Sequence, residues 1–90
     1  MTETASRKVP DGKLVRVTAD VNDTIQNVTI TGDFFLEPPE ARTDLEDAIE
    51  GQPADVSEAT LVEAIQAVDA QLIGFEASDL AAVIREVVAQ

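Results

Sequence analysis

Between Ile30 and Glu40 the spacing of apolar residues changes, and that change constrains the fold of this chain more than any other feature. Before it, apolar and polar residues alternate. Val15, Val17, Ala19 and Val21 fall on one side and Arg16, Thr18 and Asp20 on the other, the period of a strand with one buried face. After it, apolar residues recur every three or four positions, as in Leu61, Ile65 and Val68, the period of a helix with one buried stripe. The junction reads Ile30-Thr31-Gly32-Asp33-Phe34-Phe35-Leu36-Glu37-Pro38-Pro39-Glu40: a strand end, a glycine, two adjacent phenylalanines and a proline pair that opens a helix. Strands followed by helices in a chain of 90 residues predict one α+β domain, a three-stranded antiparallel meander followed by about three helices packed on one face.

In chain order, residues 1–6 are small and polar and are expected to be flexible, so the single domain spans 7–90. Val9-Pro10-Asp11-Gly12-Lys13 has the form of a tight turn. It joins an edge strand over about residues 5–9 to a strand over 13–21. Asn22-Asp23-Thr24 turns the chain into a third strand over 25–34, with Val28 and Ile30 inward. Gly32 permits a bulge or a close backbone approach, and Asp33 is placed to accept hydrogen bonds from the amides that follow it. A first helix is expected over 39–50, with Ala41, Leu45, Ala48 and Ile49 on one stripe and Gly51 at its C-terminal cap. Ser57 caps a second helix whose stripe runs toward Leu72; Ile73-Gly74-Phe75 breaks the pattern, and Ser78 caps a third helix carrying Leu80, Val83, Ile84, Val87 and Val88.

Composition removes several kinds of function. The chain has no cysteine and no histidine, which excludes disulfides, thiolate nucleophiles, imidazole bases and the usual structural zinc sites. The N-terminal residues lack the apolar core of a signal peptide, and no apolar run is long enough for a membrane span, so a soluble, cytoplasmic protein is expected. The net charge is −12, but Arg7, Lys8, Lys13 and Arg16 oppose only Glu3 and Asp11 in the first sixteen residues. So acidic a surface argues against nucleic acid, and abundant Asp and Glu with only two lysines resembles a protein adapted to a high-salt cytoplasm.

The remaining candidates for chemistry are few. Asp44, Glu46, Asp47, Glu50, Glu58 and Glu63 read as solvated helix faces, and no spacing matches a metal loop or a P-loop. Ser78-Asp79-Leu80 has the wrong residue order for the attachment serine of a carrier protein. Lys13 follows a tight turn within the basic cluster, where a cation on a flexible stem can approach a phosphate or carboxylate of a partner. Phe34 and Phe35 are neighbours on a strand, so their side chains point to opposite sides, leaving one for the core and one for a covering helix or a partner.

Lys8 to Val17, with its Pro-Asp-Gly-Lys turn, then Ile30-Thr31-Gly32-Asp33-Phe34-Phe35, Pro39-Glu40, Leu45-Glu46 and Gly51, resembles the accessory domain of lipoate-protein ligases. That domain is the C-terminal part of many bacterial ligases and a separate small subunit in some archaea; a free-standing, acidic chain is similar to the archaeal form. The resemblance implies a fold like that of iron-sulfur scaffold and sulfur-acceptor proteins, whose cysteines this chain lacks. It implies a non-catalytic subunit that forms a heterodimer with a catalytic ligase subunit. That partner would hold lipoate, ATP and Mg2+, leaving no cofactor on this chain. The complex would activate lipoate as lipoyl-adenylate for transfer to a lysine on lipoyl domains of 2-oxoacid dehydrogenases or on glycine-cleavage H protein. By position, Gly12 and Lys13 would face the substrate and nucleotide, although Asp11 stands where family members often carry a second glycine, and Gly32, Asp33, Phe34 and Phe35 would meet the partner. The competing reading is a small acidic adaptor of the same fold serving another partner.

Overall fold

A computed structural model describes residues 2–9 and 13–90. Three strands, β1 (Thr2–Lys8), β2 (Leu14–Val21) and β3 (Ile25–Gly32), form an antiparallel sheet in the order β1-β2-β3. The chain continues through β4 (Phe35–Glu37), α1 (Ala41–Ile49), α2 (Glu58–Gln66), β5 (Gln71–Ile73) and α3 (Ala77–Ala89). This is the α+β order expected, strands first and helices after, except that β5 falls between α2 and α3.

The alternation of β2 puts Val15, Val17 and Ala19 in the core, where they are almost fully buried. In β3 the inward residues are Ile25, Val28 and Ile30, a spacing of three and then two. A bulge reconciles the spacing with a period of two: Thr18 pairs with Thr29 but Asp20 pairs with Gln26, and Asn27 takes φ +51° in the extra position. The helices close the other side of the core. Helix α3 lies over β1 and β2, α1 runs beside β3, and α2 packs against both helices, burying Leu45, Ile49, Leu61, Ile65, Leu80 and Ile84.

Helix α1 also explains two of its own acids. Glu46 lies in the C-terminal half of the helix and Glu50 is its C-cap, where the macrodipole disfavours negative charge. Glu46 Oε2 accepts the Ile30 amide at 2.8 Å and Glu50 Oε2 accepts the Val28 amide at 2.9 Å, so both carboxylates close the outer edge of β3. They are more than the solvated face that their spacing suggests.

Several expectations need correction. The first strand begins at Thr2, so residues 2–6 are paired with β2 and do not form a flexible tail. The Thr4 and Thr18 hydroxyls meet at 3.1 Å, and Thr2 donates to Asp20, which ties this polar strand down. Strand β3 stops at Gly32, and a separate two-stranded ribbon follows in which Phe35 pairs with Ile73, Leu36 with Leu72 and Glu37 with Gln71. Leu72 therefore belongs to a strand and not to the second helix. Helix α1 starts at Ala41, because the proline carbonyls first take part in a turn: Pro38 accepts the Ala41 amide at 3.0 Å. Ser57 caps α2 as expected, accepting the Thr60 amide at 3.1 Å. Ser78 does not cap α3; the cap is Glu76, whose amide donates to Asp79 Oδ2 at 2.9 Å, a start that seats Ala77, Leu80 and Ala81 on the buried stripe.

Candidate functional site

The geometry of the site begins with Gly32. Its φ is +153°, and a Cβ there would stand 2.1 Å from the Leu14 carbonyl oxygen and 2.7 Å from Phe34 Cε2. The missing side chain lets the end of β3 lie against the start of β2 and lets the Phe34 ring fold back over the backbone. Phe34 is half-buried, its ring 4.4 Å from that of Phe75 at an interplanar angle of 51°. Asp33 completes the junction. Its amide donates to the Leu14 carbonyl at 3.2 Å and its carboxylate accepts the Leu14 amide. Its partner lies across the sheet, not in the amides that follow it in sequence.

Phe35 then points the other way, as the parity of a strand requires, and is 65% exposed. Its partner across the ribbon, Ile73, is 37% exposed. Among the described residues these two are the exposed large hydrophobics, and they are direct neighbours. Lys13 is held beside them. Its stem lies along Gly74, so near that a Cβ there would meet Lys13 Cγ at 3.1 Å, and its ammonium is 6.0 Å from the centre of the Phe35 ring. On the far side of Phe35 a groove of about 520 Å³ is lined by Gly32, Phe34, Leu36, Pro39, Arg42 and neighbouring residues.

Charge is concentrated at this same end. The register of β1, β2 and β3 places Arg7, Lys8 and Arg16 level with Leu14, Gly32 and Thr31, close to Lys13, and Arg42 lines the groove. Arg85 lies elsewhere and donates to the Val56 carbonyl at 2.8 Å. Lys13 lies beside the exposed apolar pair, Arg7, Lys8 and Arg16 stand at the same end of the sheet, and Arg42, its Nε 3.9 Å from Glu46 Oε2, lines the groove with Glu40.

Of the residues singled out by sequence, Lys13, Gly32, Asp33, Phe34 and Phe35 come together here, with Phe34 inward and Phe35 outward. Gly12 lies outside the described residues. Ile73, Gly74 and Arg42 were missed; the short apolar run at Leu72-Ile73, set between two helices, was the available signal for a strand. Among the described residues no group of three or more acidic side chains is placed to hold a metal ion, and no helix is long and apolar enough to cross a membrane.

The fold and this end of it define a small α+β domain with an exposed apolar pair, Phe35 and Ile73, beside Lys13. No protein-family model and no curated protein matches the chain. Among solved structures it is similar to a chain from an archaeal lipoylation system, a bi-partite lipoate protein ligase and its E2 lipoyl domain from Thermoplasma acidophilum. The two are 26% identical, with a TM-score of 0.79, over 94% of this chain and 96% of that one. The resemblance read over nearly the whole chain, strongest from Lys8 to Gly51, is borne out.

Proposed function

We propose that this chain is the small, non-catalytic subunit of a two-component lipoate-protein ligase of archaeal type. The observation that carries the reading is the end-to-end likeness to a chain of a bi-partite ligase system. The large subunit, in this reading, binds lipoate, ATP and Mg2+, makes lipoyl-adenylate and delivers the lipoyl group to lipoyl domains of 2-oxoacid dehydrogenases or to H protein. The small subunit covers the site during activation. Phe35 and Ile73 supply the apolar centre of the contact, where burial of exposed rings and branched side chains contributes most. Lys13, steadied by Gly74 and Phe35, brings positive charge toward the phosphate on which negative charge develops. A cover also keeps water from the mixed anhydride before transfer.

The neighbouring system also includes an acceptor, the lipoyl domain. The chain's two lysines are Lys13, half-buried along Gly74, and Lys8, exposed at the end of β1, so an acceptor role for this chain would fall to Lys8. The test is incubation of this chain with the large subunit, ATP, Mg2+, lipoate and a separate lipoyl domain, read by intact-mass spectrometry. A subunit keeps its mass and co-elutes with the large subunit while the lipoyl domain gains the lipoyl group. Addition of the lipoyl group to Lys8 or Lys13 of this chain contradicts the proposal, and failure to associate with the large subunit returns the chain to the adaptor reading.

A further inference from the structure

The two edges of the main sheet differ. At the β3 edge three outward amides are taken: Ile25 donates to the Gln52 carbonyl at 2.9 Å, and Val28 and Ile30 donate to Glu50 and Glu46. The β1 edge is open. The Val9 amide donates to the Lys13 carbonyl at 2.8 Å, and in an antiparallel ladder the residues bonded to the neighbouring strand alternate with those that face away. Arg7, Ala5 and Glu3 therefore bond to β2, and Lys8, Ser6, Thr4 and Thr2 turn their backbone groups outward. Two side-chain contacts agree with this phase. Thr4 meets Thr18 and Thr2 meets Asp20 at the closer, non-hydrogen-bonded positions, and the Thr4 carbonyl reaches outward to the Gln90 side-chain amide at 2.7 Å. Among the described residues, that is the one bond made to this edge.

An open edge of seven residues without proline is a template for another strand. We propose that β1 is a strand-addition site and that its occupant is an extended segment of the large ligase subunit carrying Asp or Glu opposite Arg7 and Lys8. The inference rests on the ligase-subunit reading. Charge selects this occupant over a second copy: two chains of net charge −12 repel, whereas Arg7 and Lys8 end the edge strand, with Arg16 beside it on β2 opposite Ser6, where an acidic strand meets them. The site is continuous with the Lys13 and Phe35 face, so one partner can span both.

Residue-resolved amide exchange by NMR tests it. In the free chain the amides of Glu3, Ala5 and Arg7 exchange slowly and those of Thr4, Ser6 and Lys8 exchange fast. With the large subunit bound, the second group should slow by about a hundredfold or more. Ser6→Pro removes one outward donor and leaves the β1–β2 ladder intact, so it should fold and bind the large subunit at least ~10-fold more weakly. A complex in which Thr4, Ser6 and Lys8 stay fast overturns strand addition while leaving the subunit reading in place. Protection of those amides in the free chain that grows with its own concentration assigns the edge to a second copy and overturns the proposal. Absence of any complex overturns both readings.

Discussion

Gly32 and Gly51 are both at positive φ, and alanine at each should have very different costs. At Gly32 the new Cβ would lie 2.1 Å from the Leu14 carbonyl oxygen and 2.7–2.8 Å from two atoms of the Phe34 ring. The ring can turn aside, but the carbonyl cannot, because it also accepts the Asp33 amide at 3.2 Å within the β2–β3 pairing. Forced overpacking together with backbone strain gives a cost of about 2–5 kcal/mol. A domain of this size has a total stability on the order of 5–13 kcal/mol, so Gly32→Ala should remove a large part of it. The melting temperature should fall by roughly 10–30 °C. At Gly51, φ is +87° but nothing lies within 4 Å of the added atom, so only the left-handed backbone is penalised, by about 1 kcal/mol. Circular-dichroism melts of the two variants in the same buffer give the comparison directly. A Gly32→Ala variant no less stable than Gly51→Ala would refute the packing argument for the Gly-Asp-Phe-Phe junction.

Four further outcomes follow from the same geometry. Lys13→Ala should leave the melting curve nearly unchanged and slow lipoyl-adenylate formation by the two-subunit complex; unchanged activation kinetics remove Lys13 from the mechanism. Phe35→Ser should be neutral for stability, since the ring is 65% exposed, and should weaken binding to the large subunit by about tenfold, the loss of roughly 1–2 kcal/mol of apolar burial, measurable by calorimetry. Glu46→Ala and Glu50→Ala each leave a β3 amide without its acceptor and should cost about 1–2 kcal/mol in urea denaturation. The Thr2 hydroxyl and the Asn27 amide hold the Asp20 carboxyl below its usual range. A depressed folded value means that the contribution is present above about pH 4 and lost as pH falls through the folded value, so Asp20→Asn should show a smaller acid loss of melting temperature than the wild type.

The parts of the fold legible in sequence are those with a sustained local period. The alternation in β2 and the stripes of α2 and α3 gave away their buried faces, and Ser57 marked a true cap. The bulge at Asn27 did not hide β3, because Val28 and Ile30 still alternate on its far side. What stayed hidden depends on distant partners. Each strand of the β4–β5 ribbon has three residues, and their pairing joins Phe35 to Ile73, so the only local signal was the short apolar run at Leu72-Ile73. Strand β1 is polar because its outer face is open and only Ala5 offers an apolar contact to the core, which made its first residues look like a tail. The same cause hid part of the site. Lys13 and the Phe pair stand out by type and by turn context, but Ile73, Gly74 and Arg42 matter only through the neighbours that tertiary packing supplies.

This chain is expected to assist activation by another subunit and not to catalyse. The direct measurement is formation of lipoyl-adenylate from lipoate and MgATP in high-salt buffer by the large subunit alone, by this chain alone, and by the two together. Adenylate should form only, or far faster, with both present, and none should form with this chain by itself. Equal rates with and without the chain, or turnover by the chain alone, would contradict that expectation.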